Sequence, residues 1–304
     1  MAPLPALGFI GTGNMGSRMA ANLLKAGYLL TIFDLRRASA EGLLGAGARW
    51  AAGPAAVARA SEVVLVSLPG PADVDAVALG AEGVLANVPR GGTFVDLSTN
   101  YPTNVRNLCA EGRKLGVDVL DAPVSGGVHG AATRHLAVMV GGDHAAFERC
   151  RPVLEAIGDN IFYCGASGAG SVTKLVNNMI SLALNQLLGE ALTLGVKAGV
   201  DLAVLASVIS KSGGQTRKMD DMYPKYLFKG NFQPGFAVDL AAKDLRLGTM
   251  LGRELQVPLD VANLAEQRYI EAQHRGWGQL TSDAVVRLQE EKVGVELRMP
   301  EQPA

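Results

Sequence analysis

Charge is scarce in this 304-residue chain: 19% of its residues are Asp, Glu, Lys or Arg, against about 25% in an average globular protein. The 28 Lys+Arg and 29 Asp+Glu nearly cancel, leaving a net charge of −1, and the cations form no basic block. A nucleic-acid binder carries a concentrated positive footprint, so that class is excluded. Cysteine is scarce too. Cys109, Cys150 and Cys164 are odd in number and far apart, without a CxxC pair or metal-ligand spacing. Reduced thiols in the cytoplasm are therefore expected, and a metal site is not. The opening Met1-Ala2-Pro3-Leu4-Pro5 lacks the cationic stretch of a secretion signal. No apolar run reads as long and uncharged enough to cross a bilayer, so no membrane association is expected.

Glycine, by contrast, is abundant. There are 37, of which 25 fall in the first 170 residues and 12 in the remaining 134. They follow no Gly-X-Y period, which excludes collagen, and 48% hydrophobic residues exclude disorder. A surplus confined to the first half points to tight turns between short elements. The length accommodates one large or two ordinary domains.

Short apolar runs at 4–10, 29–33, 62–68, 92–97, 117–120 and 135–140 alternate with helix-like segments. Continuously apolar strands in β-α-β alternation predict a parallel sheet covered by helices on both faces. Past Gly170 the pattern becomes helical. A long stretch over 171–200 is interrupted by Gly189, Gly195 and Gly199, and helices follow at 202–209, 238–251, 261–275 and 283–292. The expected architecture is α/β: a doubly wound Rossmann-type domain over 1–165, then an all-helical domain over 166–304 that begins with a long linking helix.

The first apolar run ends in Gly11-Thr12-Gly13-Asn14-Met15-Gly16 and opens a helix. The G-x-G-x-x-G spacing alone is a weak signal, but a strand before it and a helix after it give each glycine a role. They allow a tight turn, close backbone approach to a pyrophosphate, and packing of the helix on the strand, with the anion at the helix N-terminus. The second run ends in Asp34, 18 residues after Gly16, near the ~20 expected of an acid that binds the ribose hydroxyls of NAD and repels a 2′-phosphate. Asp34 could instead cap a helix. Arg36 and Arg37 could hold the 2′-phosphate of NADP, so NAD is the expected cofactor and NADP the alternative. Leu68-Pro69 and Ser98-Thr99 end later strands on the same carboxyl edge, where open α/β sheets bind ligands.

The helix from Ser171 is apolar on most sides, yet Lys174, Asn178, Ser181 and Asn185 recur on one narrow face. A lysine there is either a solvated edge or a functional group in a cleft. Desolvation lowers a lysine's pKa, as a general base near neutral pH requires, and Asn178 could orient it.

Together these segments resemble the β-hydroxyacid dehydrogenase family, which includes 3-hydroxyisobutyrate dehydrogenase and tartronate semialdehyde reductase. The resemblance covers nearly the whole chain. Residues 8–16 are similar to the family's cofactor fingerprint, Asp121-Ala122-Pro123-Val124-Ser125-Gly126-Gly127 to its substrate-binding segment, 170–178 to its catalytic helix start, and Lys243-Asp244-Leu245 to its C-terminal motif. The resemblance implies a hydride transfer between nicotinamide and a small 3-hydroxy acid or its semialdehyde, with no metal. It further implies Lys174 as the acid–base group beside Asn178, and Ser125, Gly126 and Gly127 on the substrate carboxylate. Leu68, Pro69 and Thr99 would contact the cofactor, and Lys243 would close over its nicotinamide end. Without the resemblance, Ser125-Gly126-Gly127 reads as an ordinary loop and Lys243 as a solvated helix residue. It also implies a 6-phosphogluconate dehydrogenase-like C-terminal domain and a homodimer or homotetramer. The chain departs from the family pattern at Arg134-His135-Leu136, where His135 reads as a surface residue at a strand entry. Within the family, tartronate semialdehyde reduction and serine-type oxidation are the alternatives. Outside it, the rival is a dinucleotide-binding regulator without catalysis.

Overall fold

The computed structural model describes residues 4–233 and 235–299. The chain divides into two compact units, one ending at Leu175 and one beginning at Val176.

The first unit runs β1 (Leu7–Ile10), α1 (Gly16–Lys25), β2 (Leu30–Phe33), α2 (Glu41–Gly45), β3 (Arg49–Trp50), α3 (Pro54–Arg59), β4 (Val63–Val66), α4 (Pro71–Ala78), α5 (Val84–Asn87), β5 (Thr93–Asp96), α6 (Pro102–Leu115), β6 (Asp118–Asp121), β7 (Val124–Ser125), α7 (Gly127–Thr133), β8 (Ala137–Gly141), α8 (His144–Glu155) and β9 (Asn160–Gly165). The strand order is β3-β2-β1-β4-β5-β6-β8-β7, with β9 on β8. Strands β1 to β6 are mutually parallel, as their apolar runs predict. The sheet is nevertheless mixed, because β8 runs antiparallel to both β6 and β7.

Period-two alternation sorts the strand side chains onto two faces. Leu7, Phe9, Leu65 and Val95 fall in one core cluster. Ile10, Val64, Val66 and Phe94 fall in the other. Strands β1, β4 and β5 are therefore covered on both sides. Helix α1 places Met19, Ala20 and Leu23 on the first face, and α6 places Leu108 on the second. Helix α6 starts on Pro102 and stops at Gly116, whose φ of 71° supplies the left-handed cap. The order reverses between β1 and β4, leaving a crevice at their carboxyl ends where a dinucleotide binds in this fold class.

Helix α9 (Ala169–Lys197) spans the division between the units. It corrects two sequence expectations. Gly189 and Gly195 lie inside the helix rather than interrupting it: a Cβ on them would meet Val286 Cγ1 at 3.2 Å and Leu205 Cδ1 at 2.6 Å, so both are packing contacts. With those breaks removed, α9 is long and apolar enough to cross a membrane by length and composition, where none was expected. Its buried Asn178 and Asn185 are hydrogen-bonded to protein groups, so one face of the helix packs in protein.

The second unit continues with α10 (Leu202–Ile209), a π-helical turn (Lys218–Met222), α11 (Tyr223–Lys225), α12 (Val238–Glu254), α13 (Asp260–His274), a 3₁₀ turn (Ser282–Val286) and α14 (Arg287–Val293). Tyr223, Phe228, Leu245, Tyr269 and Val285 centre its core. A polar thread crosses that core. Lys218 Nζ lies 2.9 Å from Asp283 Oδ1, Tyr223 donates to Asn185, and Asn185 donates to Tyr269. Burial drives the Tyr223 and Tyr269 hydroxyls well above their ordinary pKa.

Candidate active site

The glycine-rich loop leaves β1 in a conformation only glycine adopts readily. Gly11 has φ +91°, and a Cβ there would lie 2.3 Å from Ser67 O. At Gly16 a Cβ would stand 1.9 Å from Gly11 O, so the start of α1 sits directly on the loop. Gly13 differs: a Cβ there would meet nothing within 4 Å, so the missing side chain leaves room above the backbone. Met15 at the N-cap supplies no side-chain cap, and the first turn of α1 contains no acid. These amides can therefore accept an anionic ligand, and the loop fits a dinucleotide pyrophosphate.

Asp34 does not cap a helix. Its Oδ2 accepts from Thr12 N–H (2.7 Å) and its Oδ1 from Arg36 N–H (2.8 Å), tying the end of β2 to the glycine loop. Thr12 Oγ1 also pairs with Ser39 Oγ at 2.7 Å. Asn14, Arg36 and Arg37 are exposed, and the Arg37 guanidinium lies 5.0 Å from the Trp50 ring centre.

At the carboxyl end of β5, Asp96 organises the neighbouring loops. Its Oδ1 accepts from Ser98 N–H (2.9 Å) and its Oδ2 from Asn100 Nδ2 (2.8 Å). Ser98 Oγ in turn accepts from Leu68 N–H at 2.9 Å. One buried carboxylate thus fixes the loop carrying Thr99 and, through Ser98, the residue before Pro69. Burial raises its pKa to about 6, against the opposing effect of its hydrogen bonds from Asn100 and Ser98.

Its register partner on β6 is Asp121. Asp121 Oδ1 accepts from Gly168 N–H (2.9 Å) and Oδ2 from Ser171 N–H (2.7 Å), two donors at the start of α9. Burial raises the Asp121 pKa, opposed by those same two amides. Lys174 follows on the next turn of α9 and is 8% exposed. Ser125, four residues after Asp121, pairs with Ala137 in the short strand β7 rather than lying in a loop. Gly126 has φ +141° with the His135 carbonyl 2.7 Å from its Cβ position, and Gly127 (φ +66°) faces open space.

In the second unit, Asn178 Nδ2 donates to Asp244 Oδ2 at 2.6 Å. Lys243 Nζ lies 3.0 Å from Asp244 Oδ1, an ion-pair contact outside directed hydrogen-bond geometry, since that oxygen has no hydrogen-bond partner. Lys243 is only 17% exposed, so it is not the solvated helix residue that its isolated sequence suggests. Asn185, on the same stripe as Lys174 and Asn178, is committed to the tyrosine thread. Ser181 is half-buried. Arg134 and His135 are exposed: Arg134 ends α7 with φ 64° and donates to Glu155 O, while His135 pairs with Asp159.

Three acids have no role assigned by the sequence reading: Asp96, and Asp121 and Asp244, which enter it only as members of motifs. The first two had a visible signal, an acid closing an otherwise apolar strand in Thr93-Phe94-Val95-Asp96 and Val119-Leu120-Asp121. Among the described residues, no group of three or more His, Cys, Asp or Glu could hold a metal. All three cysteines are free, and burial raises the Cys109 thiol pKa.

Comparison with known proteins gives a consistent picture. A family profile for the NAD binding domain of 6-phosphogluconate dehydrogenase matches residues 6–165. Another, for the NAD-binding part of NADP-dependent 3-hydroxyisobutyrate dehydrogenase, matches 168–289. The chain is 38% identical to 2-(hydroxymethyl)glutarate dehydrogenase of Eubacterium barkeri over 95% of its own length and 96% of that protein. It is 37% identical to NAD-dependent L-serine dehydrogenase of Pseudomonas aeruginosa, covering 93% of this chain and 97% of the relative. Among solved structures, Mycobacterium tuberculosis 3-hydroxyisobutyrate dehydrogenase with L-serine superposes with a TM-score of 0.87 at 32% identity, over 94% of this chain and 99% of that one.

Proposed function

The chain belongs to the β-hydroxyacid dehydrogenase family, and from that premise we propose how its residues divide the work. It is an NAD(P)-linked oxidoreductase acting on CH–OH groups. Bound NAD supplies the hydride acceptor. Gly11, Thr12, Gly13, Asn14, Met15 and Gly16 hold the pyrophosphate, Asp34 the adenosine ribose, and Leu68, Pro69 and Thr99 line the path toward the nicotinamide. Ser125 and the N–H groups of Gly126 and Gly127 hold the substrate carboxylate.

Lys174 Nζ takes the hydroxyl proton as hydride leaves the same carbon, and returns it in the reverse direction. Asn178 orients the reacting group and is itself held by Asp244, while Lys243 serves the cofactor. The observation that carries this reading is the burial of Lys174 close to the start of α9, the segment that Asp121 holds.

The substrate is a small 3-hydroxy acid of the 3-hydroxyisobutyrate type. Relatives named for L-serine and for 2-(hydroxymethyl)glutarate support the wider class of 3-hydroxy acids and favour serine as the second reading. Tartronate semialdehyde reduction is the same chemistry in reverse. The exposed apolar side chains Val176, Ile180, Leu187 and Leu194 on α9 support a homodimer or homotetramer, which sedimentation equilibrium tests. The free thiols support a cytoplasmic location. The functional test is NADH or NADPH formation at 340 nm with 3-hydroxyisobutyrate, serine, glycerate, 3-hydroxypropionate and 2-(hydroxymethyl)glutarate. Turnover of at least one with NAD is expected. Cofactor binding without turnover of any would favour a regulator.

A further inference from the structure

We propose that Asp121 is a positioning residue for Lys174: its carboxylate accepts the Gly168 and Ser171 N–H groups and so sets where α9 begins. The inference rests on the reading of Lys174 as the acid–base group. Four observations carry it.

First, the contacts are long-range. Donor and acceptor are 47 and 50 residues apart in sequence, so they lock the helix start to the end of β6 rather than to its own loop. Second, there is no slack around the carboxylate. A Cβ at Gly141 would lie 2.5 Å from Asp121 Oδ1 and 2.8 Å from Gly170 N, and a Cβ at Gly170 would lie 2.2 Å from Met139 O and 2.8 Å from Asp121 O. Only glycines fit, Gly141 against the carboxylate and Gly170 against the Asp121 main-chain carbonyl.

Third, the same residue leads directly into Ser125, Gly126 and Gly127. Asp121 therefore references both the proposed proton acceptor and the proposed carboxylate cradle to one strand end. Fourth, a carboxylate is a costly choice for a cap alone. It is almost completely buried and faces a second buried carboxylate, Asp96, on the adjacent strand. Serine or asparagine would cap a helix without desolvating a charge. The two-oxygen fork is what accepts both amides at once.

The geometric consequence is large. A helix advances about 1.5 Å and turns about 100° per residue. A one-residue slip in the start of α9 would carry Lys174 to another face, and a displacement near 1 Å can cost about 10²-fold in rate.

The test is Asp121→Asn, which keeps the volume but sets an amide NH₂ against one of the two N–H donors. The expected result is a fall in kcat of at least about tenfold, with substrate KM and NADH Kd within about twofold. Amide exchange should accelerate at Gly168 and Ser171 while β4 and β5 stay protected. A merely structural role would raise exchange throughout the sheet and weaken substrate and NADH binding along with kcat, and such a result overturns the proposal. So does a kcat within twofold of wild type. If the variant does not fold, exchange in the wild-type protein decides. Both amides occupy positions without an intrahelical acceptor, so protection there supports the clamp and free exchange refutes it. Lys174→Ala separates the two claims. Retained turnover in Lys174→Ala defeats the acid–base reading, whereas an inert Lys174→Ala beside an unimpaired Asp121→Asn defeats only the positioning role.

Discussion

Asp96 makes stability and cofactor binding respond to pH in opposite directions. Burial raises its pKa from 3.8 to about 6 in the folded chain. The folded state therefore holds this proton more tightly than the unfolded state does. Stability from this group is fully present below about pH 4 and is lost as pH rises through 6. The full difference is about two pKa units, or about 3 kcal/mol at 1.36 kcal/mol per unit. Roughly half of it, on the order of 1–2 kcal/mol, falls between pH 5 and 7.5 by the same linkage. Binding runs the other way. The carboxylate holds Ser98 and Asn100 and, through Ser98, the Leu68 amide, so protonation should loosen the strand ends proposed to meet the cofactor. Each unit contains one tryptophan, Trp50 in the first and Trp277 in the second. Urea unfolding followed by Trp50 fluorescence in a Trp277→Phe background therefore reports on the first unit. Wild type should lose on the order of 1–2 kcal/mol more than Asp96→Asn between pH 5 and 7.5, while its NADH Kd rises as pH falls through 6. Parallel stability curves for the two proteins would refute the reasoning, since contributions common to both cancel in the difference.

Gly13→Ala should fold with an unchanged Tm yet bind NADH at least about tenfold more weakly, because its methyl enters the space left for the ligand. Gly16→Ala should instead cost about 1–3 kcal/mol in stability, because its Cβ collides with the Gly11 carbonyl; equal Tm values for the two variants would contradict this contrast. Asp34→Asn should lower the NADH-over-NADPH preference in kcat/KM by at least about tenfold, and an unchanged preference removes Asp34 from cofactor choice. Lys218→Met leaves Asp283 buried without its cation and should cost the second unit about 3–5 kcal/mol by Trp277-monitored unfolding. Adding Asp283→Leu should recover most of that loss, and failure to recover would mean that packing, not charge, was disturbed.

The parts of the fold that were legible are those whose local pattern admits one solution. Residues 7–10 and 63–66 carry no polar side chain because both sheet faces are covered, and the glycine spacing after β1 marks the turn into α1. The two-residue strands β3 and β7 are too short for a period. Strand β9 lies at the sheet edge with Phe162 and Tyr163 exposed, so no buried face writes an alternation into its sequence. The antiparallel β8 was legible as a strand but not in its direction, which depends on pairing with β6 across the intervening β7 and α7. Lys174 and Asn178 stood out because polar groups at helical spacing are conspicuous on an apolar helix. The acids that hold this machinery did not. An Asp at the end of a strand shows that something is capped, but its donors at Gly168 and Ser171 belong to another part of the chain. Likewise, Asp244 joins Asn178 to Lys243 across 66 residues, a pairing that no spacing rule encodes.

The most direct test of the account is Lys174→Ala under saturating NAD and the best substrate of the panel, with NADH formation followed at 340 nm and NADH affinity measured by fluorescence. The account predicts a kcat lower by about 10²–10⁴-fold with NADH Kd within twofold of wild type. Turnover within tenfold of wild type would contradict it.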